Sequence, residues 1–224
     1  MEALISVLRS TRWGAALANE HLERVAAESR ELTLEAGQAL CRRGEPVDAW
    51  FGVIAGMVKI MNSGPDGRSS TFTGVPSGGW FGEGSLLKTE PRRYDVVALR
   101  QSRIALVPRG SFEWLVNTSL PFNRFLLIQL NERLGQFIGM LETQRLDDPD
   151  ARVARCLAGL FNPILYPGIE RKLEVSQEEI GFLVGISRQR VNQALQNLQQ
   201  AGLLRIDYGA VLIDDLDGLR KYTR

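Results

Sequence analysis

The stretch QEEIGFLVGISRQRVNQALQ, Gln177 to Gln196, decides how this chain is read. Apolar residues fall at Ile180, Val184, Ile186, Val191 and Ala194, the spacing of two short amphipathic helices. Gly185 stands where a tight turn between them needs a residue tolerant of positive φ. Gly181 is small where the first helix must pass close to the second. Ser176 precedes Gln177-Glu178-Glu179 as a capping box, and Ser187 can cap the second helix just before Arg188. An ordinary helical hairpin in some other α domain would need only the glycine turn. The turn, the small residue, the apolar period and the caps together predict a helix-turn-helix, whose second helix enters the major groove of DNA.

Charge supports the same reading. The 224 residues carry a net charge of +1, so attraction to DNA has to be local. From Ile180 to Ile206 there is no acid, while Arg188, Arg190 and Arg205 are present. Residues early in a recognition helix face base edges, which makes Arg188, Gln189, Arg190, Asn192 and Gln193 the candidate readers. Arginine can pair bidentately with guanine and glutamine with adenine. Ser176, Ser187 and the amides at the helix starts are candidate phosphate contacts.

Working outward, the length suits two small domains, and 44% hydrophobic with 24% charged residues is ordinary for a soluble protein. Residues 1–30 read as helical, with Leu4, Val7, Leu8, Leu17, Leu22 and Val25 apolar. Over 31–118 short strand-like runs, such as Trp50 to Ile54, Met57 to Met61, Ser70 to Thr73, Val96 to Leu99 and Arg103 to Val107, are punctuated by glycine and by a turn-rich patch at Asn62 to Gly67. That texture predicts a β-sandwich or barrel-like roll. Helical period returns from Ser111. Residues 119–146 place Leu120, Leu127, Leu134 and Leu141 every seven residues, with Asn131, Ile138 and Arg145 at the intervening position. This reads as a parallel dimerisation helix whose interface is Leu127, Asn131, Leu134, Ile138 and Leu141; the alternative is a helix packed on its own domain. Phe122, Phe125, Leu130 and Phe137 widen the stripe, and core packing is the expected role of Phe137. A hinge at 147–150, Asp-Asp-Pro-Asp, ends the helix. In 151–224, a helix Ala151 to Phe161 and a strand Lys172 to Val175 lead into the helix-turn-helix. A hairpin around Asp207-Tyr208-Gly209 then forms a wing.

Other chemistries find little support. Cys41 and Cys156 are isolated and read as buried free thiols in a reducing cytoplasm. His21 is the sole histidine, so neither a metal cluster nor a catalytic triad can be assembled, and an enzyme fused to a winged helix lacks its constellation. No signal peptide or membrane span is evident, and a cytoplasmic location is expected.

Leu34-Glu35-Ala36-Gly37, Arg43-Gly44-Glu45, Phe51-Gly52-Val53-Ile54-Ala55-Gly56, Trp80-Phe81-Gly82-Glu83 and the segment from Gln177 to Leu203 together make the chain resemble the bacterial Crp/Fnr transcription regulators. The resemblance implies an α+β protein. Its parts would be an N-terminal double-stranded β-helix or jelly-roll of cyclic-nucleotide-binding type, a long dimerisation helix and a C-terminal winged helix-turn-helix. It further implies a homodimer on a pseudo-palindromic operator of double-stranded DNA, with RNA polymerase a candidate partner. In the best-known members a Glu and an Arg stand at the positions of Gln189 and Gln193, so the half-site here is expected to differ.

The resemblance also implies an effector site at Gly82, Glu83 and Ser85, with an arginine ten residues after the glutamate, Arg93, for a phosphate. A small hydroxyl should follow that arginine, but Tyr94 stands there. Phe137 and Ile138 occupy the positions of the Thr-Ser pair that contacts adenine. A cyclic nucleotide, another nucleotide including a cyclic dinucleotide, an apolar small molecule and no effector at all remain open, the last making the roll a degenerate sensor on a constitutive DNA-binding dimer. Too few cysteines are present for an iron–sulfur cluster, and only His21 and Cys41 offer themselves as haem ligands.

Overall fold

The computed structural model describes residues 2–63, 69–144, 148–167, 169 and 171–223. Within the expected features, the turn residues Gly64 to Gly67, the seam residue Arg145, Asp147 of the hinge and Gly168 lie outside the described residues.

The N-terminal segment is two helices, α1 (Glu2–Ser10) and α2 (Asn19–Glu28), joined by a 3-10 turn at Gly14–Ala16. Helix does not extend to Arg30, because Arg30 opens strand β1 (Arg30–Leu34) opposite Leu106. The roll continues through β2 (Ala39–Cys41), β3 (Ala49–Ala55), β4 (Met57–Ser63), β5 (Ser69–Pro76) and β6 (Trp80–Phe81). A short helix α3 (Glu83–Lys88) precedes β7 (Asp95–Ala98) and β8 (Ser102–Pro108). Two four-stranded sheets result, ordered β1-β8-β3-β6 and β2-β7-β4-β5, with antiparallel pairing throughout the described residues. The faces turned towards each other carry Val53, Val58, Ile60, Val75, Phe81, Val96 and Ile104, all buried. A second cluster, built on Trp13, Trp50, Trp80, Phe112 and Phe122, seals α1 and α2 onto the outer face of β3 and β8.

Helix α4 (Arg109–Thr118) starts two residues before the expected Ser111 and ends at Ser119, from which α5 (Leu120–Gln144) departs. One face of α5 is anchored on the roll through Phe122, Leu126 and Gln129, which are buried. Its seam face is bare: Leu127 is 69% exposed, Leu134 59% and Leu141 62%, so nothing among the described residues covers these heptad positions. Phe137 lies on that open side too, which corrects the expectation that it packs in the core.

Asp148 then caps α6 (Pro149–Gly159), accepting from Asp150 N and Ala151 N. The expected strand before the helix-turn-helix shrinks to β9 (Lys172–Leu173). After α7 (Gln177–Val184) and α8 (Arg188–Gln200), β10 (Leu204–Asp207) and β11 (Ala210–Ile213) form the wing hairpin, which β9 extends to three strands. A last helix, α9 (Leu216–Lys221), unread in the sequence, closes the domain with Leu219 fully buried. This unit sits against β4 and β5: Met57 joins its core, and the Tyr166 hydroxyl donates to Gly74 O at 3.3 Å.

Candidate nucleic-acid interface and effector pocket

The helix-turn-helix is fixed by local chemistry. Ser176 Oγ accepts from Glu179 N at 3.2 Å while Glu179 Oε2 accepts from Ser176 N at 2.6 Å, satisfying two amides at the start of α7. Gly185 ends α7 at φ 73°. A Cβ on Gly181 would stand 2.9 Å from Ile186 O, which explains the small residue. Ser187 caps α8 by accepting from Arg190 N at 3.3 Å.

The candidate readers separate into two groups. Ser187, Arg188, Gln189 and Gln193 are exposed on one side of α8, with Gln193 Nε2 donating to Asn197 Oδ1 at 3.1 Å. Arg190 turns inward. Its Nη2 is 2.6 Å from Oδ1 of Asp150, a fully buried carboxylate whose other oxygen accepts from Asn197 Nδ2 at 2.7 Å. Arg190 stands on the flank of α8, about 60° round from Gln193, where the buried carboxylate at the start of α6 is within its reach. Asn192 is half-buried where the helices cross and accepts from Gln177 Nε2 at 3.1 Å. In the wing, Arg205 is committed to Asp214, whose carboxyl it holds below the usual range, and Tyr208 at the tip is fully exposed.

Glu179 also receives Arg100 from the roll, as a fork of 2.9 and 2.6 Å. Beside it, Lys59 of β4 lies 4.4 Å over the ring of Phe182. The sequence marked Glu179 only as a cap.

Inside the roll, Gly82 at φ 96° starts α3 and brings Glu83, 2% exposed, into the interior. Ser85 is buried two residues further along α3. Arg92, not Arg93, turns in towards them. Gly44 N donates to Arg92 O at 2.8 Å and Arg92 N to Glu45 O at 2.9 Å, which fixes Arg92 inward and its neighbour outward. The buried Arg92 guanidinium lies 4.3 Å over Phe51, donates to Ala49 O at 2.6 Å, and would stand 2.7 Å from a Cβ on Gly82. Arg93 is exposed and paired with Glu90 at 2.8 Å, which corrects its expected inward position. Tyr94 is half-buried, and burial with the nearby Glu83 charge pushes its phenol up to about 12.

Arg133, which the sequence reading missed, reaches in from α5. Its Nη2 donates to Trp80 O at 2.9 Å and its Nε lies 3.9 Å from Glu83 Oε1. Its signal was its place in the series Phe122, Leu126, Gln129, Arg133, the face of α5 that meets the roll. Glu83 Oε2, Arg92 Nε, and Arg133 Nε and Nη1 have no hydrogen-bond partner among the described residues. The free donors of Arg92 and Arg133 in this enclosed space suit an anion. Among the described residues no group of His, Cys, Asp and Glu could hold a metal ion, and no helix is long and apolar enough to cross a membrane.

Comparison with known proteins agrees with both halves. Residues 31–119 match the cyclic nucleotide-binding domain and residues 151–222 the Crp-like helix-turn-helix domain. A CRP-like cAMP-activated global transcriptional regulator of Mycobacterium tuberculosis is 30% identical over 191 residues, covering 84% of this chain and 85% of the relative. The c-di-GMP responsive global regulator CLP of Xanthomonas campestris is similar in structure at TM-score 0.61 and 26% identity, over 88% of this chain and 99% of that one. FixK2 of Bradyrhizobium japonicum shares the fold at TM-score 0.70 and 20% identity, over 85% and 95%. With a sheet pair enclosing Glu83, a long helix leaving it and a capped helix-turn-helix beyond, the chain belongs to the Crp/Fnr family of DNA-binding transcription regulators.

Proposed function

We propose that the protein is a homodimer that reads a pseudo-palindromic operator with Arg188, Gln189 and Gln193, under the control of an anionic effector bound in the roll. The exposed, acid-free side of α8 carries this reading. Arg188 suits guanine and the two glutamines suit adenine, while Arg190 and Asn192 hold the helix in place. Ser176 and Ser187, at helix starts, are suited to phosphate contacts. The bare seam of Leu127, Asn131, Leu134, Ile138 and Leu141 would be covered by a second copy, setting the two recognition helices about one DNA turn, roughly 34 Å, apart.

In the roll, Arg92 and Arg133 are the groups that would hold the effector's anionic part, with Gly82, Glu83, Ser85 and Tyr94 around it. Because Arg133 stands on the dimer helix, an anion drawn to it would act directly on the element joining the sensor to the DNA-binding domain. The M. tuberculosis relative is named as cAMP-activated and the Xanthomonas one as c-di-GMP responsive, so a nucleotide phosphate is the effector chemistry we favour. The positions of the base-contacting Thr-Ser pair, Phe137 and Ile138, are exposed and apolar, which weighs against adenine recognition of the usual kind.

Selection of bound DNA from a random pool, with and without cyclic mono- and dinucleotides, tests the whole reading. Enrichment of an inverted repeat containing guanine and adenine in each half-site, strengthened by one nucleotide class, supports it. Enrichment that no nucleotide alters would leave the roll a degenerate sensor.

A further inference from the structure

The loop after α6, residues 162–167, belongs to the DNA-binding domain in sequence but packs into the roll. Leu165 and Tyr166 are each 1% exposed and join Val53, Val75 and Phe81 in the core between the sheets. The loop is shaped as a hook by its first residue. Asn162 Oδ1 accepts from Ile164 N at 2.9 Å and from Leu165 N at 3.0 Å, and Asn162 O accepts from Tyr166 N at 2.9 Å. A side chain that bonds the backbone two and three residues on fixes a turn of this kind.

The roll is cleared to receive the hook. In the turn between β5 and β6, a Cβ on Gly78 would collide with Pro167 O. One on Gly79 would crowd Val75 and stand 3.0 Å from the Tyr166 ring.

Helix α5 grips the other side. Gln136 Nε2 donates to the Tyr166 hydroxyl at 3.2 Å, and Asn162 Nδ2 donates to Glu132 Oε2 at 3.1 Å. Glu132 and Gln136 are four residues apart on one helical turn, and Arg133 belongs to the same turn. Burial pulls the Arg133 pKa down, but Tyr166 and Glu83 beside it more than offset this and hold it above the ordinary range. The arginine assigned to the effector's anion is therefore faced by a side chain of the DNA-binding domain.

We propose that the hook is a latch: Tyr166 and an effector anion compete for the space at Arg133, so that binding of the effector withdraws the hook and loosens the DNA-binding domain from the roll. This rests on Arg92 and Arg133 holding the effector. A seated hook lowers the apparent affinity for the effector by the fraction of molecules that are unlatched. With about one molecule in ten unlatched, the loss is about tenfold.

Calorimetric titration of the full-length protein with cyclic AMP and with cyclic di-GMP, joined to hydrogen exchange of residues 162–167, tests this. A nucleotide that binds the unaltered protein should raise exchange in the hook and bind Tyr166→Ala about tenfold more tightly. Tyr166→Phe keeps the ring and loses only the hydroxyl's bonds to Gln136 and Gly74, so it should gain about threefold even if the alanine variant fails to fold. A side chain that merely filled the core would give lower or unchanged affinity when cut back. Binding seen only in the Tyr166 variants would also support the latch. Binding to the unaltered protein with no gain in either variant, or with exchange in the hook unchanged, would overturn the latch and leave the effector site standing. Binding of neither nucleotide to any of the three proteins would remove the effector reading and the latch with it.

Discussion

Arg100 and Glu179, 79 residues apart, meet as a two-point fork of 2.9 and 2.6 Å that ties the roll to the first helix of the helix-turn-helix. The same carboxylate closes the capping box of α7. Arg100→Met should therefore remove only the tether, and Glu179→Ala both tether and cap. Charged hydrogen bonds of this kind contribute about 1.5–3 kcal/mol and a cap about 0.5–2 kcal/mol, so the glutamate variant should lose more. Urea unfolding of the two variants reads the difference; equal losses would mean that the cap contributes nothing.

What was legible in the sequence was local. Ser176, Glu179, Gly185 and Ser187 act within one or two helical turns, and their spacing alone placed α7, the turn and α8. The Arg100 fork left no pattern, because nothing in either segment refers to the other. The choice between Arg92 and Arg93 depended on backbone pairing with Gly44 and Glu45 across the roll. Arg190 looked like a base reader because it is basic and early in the helix; its partner, Asp150, lies buried at the start of α6. Phe137 looked like core, and only the direction in which α5 leaves the roll put it outside.

The inward arginine gives a direct contrast. Arg92→Ala should abolish the response of DNA binding to an anionic effector, while Arg93→Ala, which breaks only an exposed pair with Glu90, should keep it. Titration of operator affinity against nucleotide concentration makes the comparison, and the reverse outcome would return the anion site to Arg93.

The bare seam predicts association. Leu134→Asp places a charge in the middle of the apolar face, and sedimentation equilibrium should find it shifted from dimer to monomer. An unaltered dimer would move the interface elsewhere.

Tyr94 predicts a pH effect. Its phenol is held up at about 12, against 10.0 ordinarily, so the folded protein keeps a proton that the unfolded chain releases. That contribution to stability is complete below pH 10 and is lost as the pH rises towards 12. Tyr94→Phe should flatten this part of the stability profile measured by denaturant unfolding. A profile identical to that of the unaltered protein would contradict the burial of this phenol.

The division of labour on α8 is the central claim, and operator binding by fluorescence anisotropy tests it most directly. Arg188→Ala should cost about 1–3 kcal/mol on the selected operator, and much less on random DNA of equal length and salt. Arg190→Met should instead lower folding stability, by about 3–5 kcal/mol if the buried Asp150 is left short of a partner, and keep the sequence preference of whatever protein remains folded. Equal losses on both DNAs for Arg188→Ala, or loss of sequence preference in folded Arg190→Met, would contradict the account.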